Sequence, residues 1–256
     1  MLALVTCRAA RDVDTDLPLL QRELSDAQVV AWDDDAVDWS TFSVVVLRSP
    51  WDYHQRRDDF LAWAADVCAV ADLWNPLSVV RWNIHKSYLL DLEAQGVPVA
   101  PTELVEQGSG LALQAILDRR GWDRVVVKPA VSAASYRTLK VGPGETGAGE
   151  RHLRDLAAQR DVLVQSYLPS VEGHGERALV WVEGEVTHAV RKTPRFSGED
   201  ESVSGPMEIS GAELELAHKA VAAIDGAPLY ARIDMAPGPD GPPVVMELEL
   251  IEPSLF

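Results

Sequence analysis

The sequence predicts a mixed α/β and α+β chain: a small N-terminal βαβ domain over 1–82, then two α+β lobes over 83–168 and 169–256. Three observations predict it. Residues 2–6 (LALVT) and 43–47 (SVVVL) are short apolar runs on either side of a helical pattern at 17–24, as in a buried parallel unit. Helix and strand patterns then alternate from 110 to 167. Beyond residue 178 strand patterns dominate, ending in a hairpin that joins 230–235 with 244–251 across a turn rich in Pro and Gly.

In chain order, a helix is expected over 58–71 and another over 84–95, the second stopped by Gly96 ahead of Pro98. The connector 96–102 enters the second lobe, with a helix at 110–120, strands at 124–128 and 137–141, a helix at 151–159 and a strand at 162–167. The third lobe reads as strands at 179–182 and 185–190, a polar loop through Ser204, a helix at 212–224 and the hairpin.

Of 256 residues 47% are hydrophobic, enough for one large domain or two to three small ones with cores. Forty acidic against 23 basic side chains give a net charge of -17, which argues against nucleic acid and anionic membrane as partners. It does not argue against a nucleotide, because local cations set the potential inside a pocket. Cys7 and Cys68 lack paired spacing and are expected as reduced thiols. No apolar run reaches the roughly 18 residues of a membrane span, and the N-terminus lacks the charged lead of a signal peptide, so the cytoplasm is the expected location. Self-association into a homo-oligomer stays open.

Pairing the hairpin symmetrically about its turn sets Asp234 opposite Glu247 and Arg232 opposite Glu249, and period-two alternation puts all four on one face. Three carboxylates and a guanidinium match a Mg²⁺ site beside phosphate oxygens. The alternative is a solvated face with cross-strand ion pairs worth about 0.2–1 kcal/mol each. Lys128 leaves an apolar strand just before the small-residue loop 130–135, which includes Ser132 and Ser135. Its ammonium could meet a phosphate while the loop's N–H groups approach anionic oxygens, or it could simply snorkel from a strand end. No Walker P-loop or GxGxxG fingerprint is present.

The segment 48–53 follows the carboxyl end of a strand, where parallel sheets place ligands. Arg48 offers a fork for a carboxylate, Asp52 an acceptor for an ammonium, and Trp51 and Tyr53 apolar walls suited to a small amino-acid-like substrate. Alternatively Trp51 and Tyr53 staple the loop while Arg48 and Asp52 pair with each other. His85, His174 and His188 have no metal-ligand spacing, and neither Ser49 nor Ser132 has a triad pattern around it.

Taken in order, Asn83-Ile84-His85-Lys86, Gly96-Val97-Pro98, Val127-Lys128-Pro129, Gln165-Ser166-Tyr167-Leu168-Pro169, Gly175-Glu176-Arg177, Arg232-Ile233-Asp234 and Glu247-Leu248-Glu249 resemble the ATP-grasp superfamily through nearly the whole chain. Within it, Arg48-Ser49-Pro50-Trp51-Asp52-Tyr53 and the ending Glu249-Leu250-Ile251-Glu252-Pro253-Ser254-Leu255-Phe256 look like the group containing O-ureido-D-serine cyclo-ligase. Glu249 stands where that superfamily commonly has Asn, and alanines follow Lys128 where glycines are usual. Such proteins usually continue past the metal strand, so a further C-terminal segment is expected.

The resemblance implies an ATP-grasp fold with ATP and Mg²⁺ as cofactors. Lys86 and Lys128 would bind phosphates under the Ser132–Ser135 loop, with Lys128 also near the adenine. Gln165, Tyr167 and Leu168 would hold the adenine, and Glu172 or Glu176 the ribose. Arg177, Arg191, Lys192 and Arg232 would neutralise the phosphoryl group or the substrate carboxylate. Asp234, Glu247 and Glu249 would hold the metal. The implied activity converts a carboxylate to an acyl phosphate that a nitrogen then attacks, within the same molecule if the group resemblance extends to activity. An intermolecular amino-acid or peptide ligase and a non-catalytic ATP-binding module remain alternatives.

Overall fold

The computed structural model describes residues 1–193 and 202–256, so most of the expected polar loop before Ser204 lies outside the described residues. The N-terminal unit contains β1 (Leu2–Thr6), α1 (Asp16–Glu23), β2 (Ala27–Ala31), β3 (Val44–Ser49), α2 (Arg57–Cys68) and β4 (Asp72–Trp74). Its sheet is parallel in the order β2-β1-β3-β4. The two strands that sequence patterning did not foresee, β2 and β4, are the short edges. They lack the unbroken apolar runs of β1 and β3, because a strand covered on one side only need not be apolar throughout.

The expected helix at 84–95 appears as α4 (Tyr88–Ala94), preceded by a separate helix that the sequence reading did not foresee, α3 (Leu77–Asn83). Between them the Lys86 N–H leaves the helical pattern and donates to Ala130 O at 2.7 Å. That break aims the Lys86 side chain away from both helices and toward the cleft described below. Tyr88, Leu89 and Leu92 of α4 belong to the core of the last lobe rather than the central one.

The central lobe is built from β5 (Thr102–Val105), α5 (Leu113–Arg120), β6 (Val125–Pro129), β7 (Leu139–Val141), α6 (Thr146–Ala157) and β8 (Val162–Ser166). Its antiparallel sheet, β5-β8-β6-β7, packs on α5 and α6. The close approach there requires Gly149, because a Cβ at that position would meet Leu113 and Val141 side-chain atoms at 2.6–2.9 Å. The last lobe contains α7 (Ser170–His174), β9 (Glu176–Val182), β10 (Glu185–Thr193), β11 (Ser202–Ser204), α8 (Gly211–Ala222), β12 (Tyr230–Pro237) and β13 (Pro243–Glu249), with sheet order β11-β10-β9-β12-β13. A capping box between Ser210 and Glu213 starts α8, which covers one face of this sheet.

Strand β13 is an edge strand whose free backbone groups are taken up by other parts of the chain. Asn83 Nδ2 donates to Leu248 O at 2.8 Å and Asn83 Oδ1 accepts from Leu250 N at 3.0 Å, while the Tyr88 hydroxyl accepts from Leu248 N at 2.9 Å. The connector adds Ala100 N to Val245 O and Val245 N to Pro98 O. Asn75, from the end of the N-terminal unit, bonds Tyr230 O, Leu250 O and Leu229 N. These buried amides join the three units and close an otherwise open edge. We predict that Asn83→Ala, which orphans Leu248 O and Leu250 N, lowers unfolding free energy by about 3 kcal/mol in urea titrations.

Candidate active site between two lobes

The sheets of the central and last lobes face one cleft. On the last lobe, strand pairing decides which side chains enter it. Asp234 pairs with Glu247 and Arg232 with Glu249, the register expected from the hairpin. Lys192 pairs with Glu176, and Asp234 with Ala178, which sets Glu176 and Lys192 on the same face as the hairpin charges. The hairpin register slips between Asp234 and Met235, leaving Met246 as the extra residue on β13. As a result both Met246 and Glu247 line the cleft.

The charges interlock. Lys86 Nζ bonds Glu247, and Lys128 Nζ lies 3.7 Å from the same carboxylate. Lys192 bonds Asp234 and lies 3.4 Å from Glu176. Arg232 makes two 2.9 Å bonds to Asp234 and reaches Glu249. Arg232, Lys86, Lys128 and Lys192 are all buried, as is Asp234. Burial alone would raise the Glu247 carboxyl, but Lys86 and Lys128 outweigh it and hold Glu247 well below the carboxylate range. Burial, with Asp234 and Glu247 nearby, pushes Glu249 up to about 7 despite Arg232. Burial depresses Lys128, while Lys86 is raised because Glu247 overcomes the same penalty.

The other end of the cleft is apolar. Val126 of the central sheet and Met246 of the last sheet line it together with Leu168 and Val171. Gln165 borders this slot, its amide bonded to Thr102 Oγ1 at 3.1 Å. The slot lies between side chains of the central and last sheets. Tyr167 also lines it, with its hydroxyl bonded to Glu172 and Lys140 Nζ 3.8 Å from its ring centroid. Over the charged end runs the loop 130–138, bringing Ser132, Ser135 and Thr138 into the lining. Ala134, Ser135 and Arg137 have φ of 48°, 56° and 50°, the left-handed geometry glycines would supply. Tyr136 rests on His54, ring centroids 5.0 Å apart, and Val131 and Ala133 pack on the N-terminal core.

Several expected site residues stand elsewhere. Arg177 and Arg191 pair across β9 and β10 one residue out of phase with Glu176 and Lys192, which sends them to the opposite face. There Arg177 bonds Glu213 and Glu208 O, and Arg191 bonds Gly173 O. Neither lines the cleft. Glu172 stays exposed outside the lining, tied to Lys140 and Tyr167, which leaves Glu176 as the acid inside. Among the described residues no three His, Cys, Asp or Glu stand together as a ready-made ion site, and Asp234, Glu247 and Glu249 are each paired with a cation. In this low-dielectric cleft each carboxylate turns to the nearest cation instead.

The 48–53 segment is also more enclosed than an open zwitterion cup. Arg48 is 3% exposed, bonds Asp16 and Pro253 O, and leaves Nε and Nη1 without partners. Asp52 accepts from Trp32 Nε1 and pairs with Arg56, not with Arg48. Trp51 Nε1 donates to Glu252 O, and the buried Tyr53 phenol meets the Glu252 carboxyl. None of the four lines the cleft.

A family model for the N-terminal domain of D-cycloserine synthetase DcsG matches residues 2–75. The cycloserine biosynthesis protein DcsG of Streptomyces lavendulae is 36% identical over 277 aligned residues, spanning 100% of this chain and 92% of that protein. The chain belongs to the DcsG family of ATP-grasp ligases. It is therefore an ATP-dependent ligase. The crystal structure of D-cycloserine synthetase DcsG matches with a TM-score of 0.90, covering 99% of this chain and 92% of that one at 36% identity. D-alanyl-alanine synthetase A from Vibrio cholerae shares the fold at 14% identity, with a TM-score of 0.72 over 98% of this chain and 89% of that one. Among the described residues of this DcsG-family chain, no helix is long and apolar enough to cross a membrane.

Sequence reasoning missed Val126, Thr138 and Met246 in the lining. Val126 was detectable as the residue two before Lys128 on the same strand face, whereas Met246 depends on a bulge that alternation does not reveal.

Two outcomes separate the cleft face from the helix face. We predict that Arg177→Ala destabilises the fold by about 3 kcal/mol, by leaving Glu213 without its buried partner, while the nucleotide dissociation constant stays unchanged in calorimetry. Lys128→Ala should instead weaken ATP binding by about 1.5–3 kcal/mol, the scale of a hydrogen bond to a charged group, with thermal stability retained.

Proposed function

We propose that this ligase uses ATP·Mg²⁺ to convert the carboxylate of a small amino acid to an acyl phosphate, which a nitrogen of the same molecule then attacks to close a ring. The observation that carries this reading is the convergence of Lys86, Lys128, Lys192 and Arg232 with Asp234, Glu247 and Glu249 at one end of a cleft whose other end is an apolar slot. ATP would lie with its base between Val126 and Met246, its ribose at Glu176 and its phosphates over the two lysines. The donor set fits magnesium in kind. Mg²⁺ takes hard oxygens, commonly one or two carboxylates completed by phosphate oxygens, so no closed protein cage is needed. Asp234, Glu247 and Glu249 would hold it there, where it supplies charge neutralisation between the phosphates.

The protein's own part is positioning and electrostatics. Lys86 and Lys128 leave Glu247 for the phosphates when nucleotide binds, freeing the carboxylate for the metal. Arg232, fixed by its two bonds to Asp234, presents its planar guanidinium to the substrate carboxylate or the transferring phosphoryl group. The carboxylate oxygen attacks the γ-phosphorus and ADP leaves. The nitrogen then attacks the acyl carbon and inorganic phosphate leaves. On a substrate like that of a D-cycloserine synthetase, this nitrogen carries a carbamoyl group that hydrolysis removes as CO₂ and ammonia. The N-terminal unit, 1–82, would bound the amino-acid side of the cleft, and the lobes 83–168 and 169–256 would clamp the nucleotide.

A panel of amino acids with and without an internal nitrogen nucleophile, assayed for ADP release, tests the reading. ADP release together with a cyclic product supports it, and dependence on a second amine would make the enzyme an intermolecular ligase. Glu247→Gln should reduce turnover at least about a thousandfold, within the range of a lost electrostatic contact in the transition state, without changing the circular dichroism spectrum. Undiminished turnover would remove Glu247 from the metal site.

A further inference from the structure

The break between α3 and α4 is held from two sides. Asn83 and Tyr88 bond β13 of the last lobe, whereas His85 turns to the central lobe, where its Nε2 stands 3.2 Å from Asp161 Oδ2. Asp161 lies one residue ahead of β8, and its other carboxylate oxygen accepts the Gln107 N–H at 2.7 Å. The backbone closes a circuit around this pair. Lys86 N donates to Ala130 O at 2.7 Å, Ala130 N donates to Asp161 O at 2.9 Å, and the Asp161 carboxylate returns to His85.

The hydrogen bonds of the imidazole also fix its tautomer. Ser87 N donates to His85 Nδ1 at 3.3 Å, and a backbone N–H can only donate, so Nδ1 carries the lone pair and the proton sits on Nε2, facing Asp161. Burial lowers the imidazole although Asp161 opposes it, in keeping with a neutral ring. One nitrogen accepts from the turn that carries Lys86, and the other donates to the neighbouring lobe. With both nitrogens engaged, the ring has little freedom to rotate.

The residue held by this circuit is Lys86. A single bond from Lys86 N to Ala130 O is a pivot about which the break could turn, and the His85–Asp161 contact one residue away supplies the second point that stops the turning. Ala130 stands two residues after Lys128, so the same circuit sets the two lysines that meet Glu247 relative to each other. We propose that His85 and Asp161 are positioning residues for nucleotide binding, fixing the Lys86 ammonium beside that of Lys128 at the phosphate end of the cleft. Neither side chain lines the cleft, so both act through Lys86. The inference rests on the proposed role of Lys86 as a phosphate ligand.

The test measures the dissociation constants of a non-hydrolysable ATP analogue with Mg²⁺ and of adenosine, by equilibrium dialysis, for the wild type, His85→Ala, Lys86→Ala and the double variant. His85→Ala should weaken the analogue by about tenfold, the lower end of a lost charge-assisted hydrogen bond, while adenosine, which has no phosphate, stays within about twofold. Lys86→Ala should weaken the analogue at least as much. Adding His85→Ala to it should then change the constant by less than about twofold, because a residue acting only through Lys86 has nothing left to position. A general structural role would weaken adenosine as well, or would add its full effect in the Lys86→Ala background, and either result overturns the inference. So does unchanged analogue binding in His85→Ala. Should His85→Ala fold poorly, Asp161→Asn replaces it, since the amide oxygen can still accept the Gln107 N–H while the acceptor facing His85 is lost. That variant should show the same selective loss and the same silence behind Lys86→Ala, and its failure to do so overturns the inference. If Lys86→Ala leaves the analogue unaffected, the phosphate role in the proposed function fails and the inference with it, whereas a loss in Lys86→Ala beside an unaffected His85→Ala overturns the inference alone.

Discussion

The ion network of Lys86, Lys128, Lys192 and Arg232 with Asp234, Glu247 and Glu249 constrains the rest of this molecule, because buried charges of that density are tolerable only when each finds its partner. The partners come from separate parts of the chain. Lys86 arrives from the break between α3 and α4, Lys128 from the central sheet, Lys192 from β10 and the acids from the terminal hairpin. Bringing them within bonding distance requires the central and last lobes to be docked closely. The docking is achieved without large apolar surfaces alone, through buried amides of Asn75 and Asn83 that complete the edge of the strand carrying Glu247 and Glu249. A single strand thus bears two of the three candidate metal ligands and holds the units together.

This arrangement explains how the cleft tolerates so many buried cations. Each lysine that would meet a phosphate is parked on a carboxylate that would meet a metal. Exchange of one set of ion pairs for another keeps the buried charge nearly balanced when ATP·Mg²⁺ enters, which lowers the desolvation cost of binding a highly charged ligand. The loop 130–138 adds strain to the same end. Its left-handed non-glycine positions cost about 1–3 kcal/mol each, and the packing of Val131, Ala133 and Tyr136 on the N-terminal unit offsets part of that.

Much of the fold was legible because it rests on local patterns. The apolar runs of β1 and β3 and the Pro/Gly turn of the last hairpin read directly as structure, and the hairpin register placed Asp234 opposite Glu247 and Arg232 opposite Glu249. What was not legible depends on a single residue of register. Thr187 is unpaired in β10 and Met246 in β13, and each slip reverses which neighbours face the cleft. Between Glu176 and Arg177, or between Arg191 and Lys192, charge alone could not decide, and the two arginines fall on the helix side. The metal acids illustrate a different limit. Period two puts them on one face, but whether they turn to each other or to cations depends on lysines that are far away in sequence.

In the N-terminal unit the side chains expected to meet a ligand are engaged within the protein. The segment after β3 lies against the terminal segment, and two of its side chains hold that segment in place. Arg48 takes Pro253 O, and Trp51 takes Glu252 O. The same segment is held from the other side by His188 at Leu255 O and Arg232 at Ser254 O. A strap fixed at both edges has little backbone freedom. Arg48 and Trp51, expected from the sequence as ligand contacts, hold the backbone of the strap.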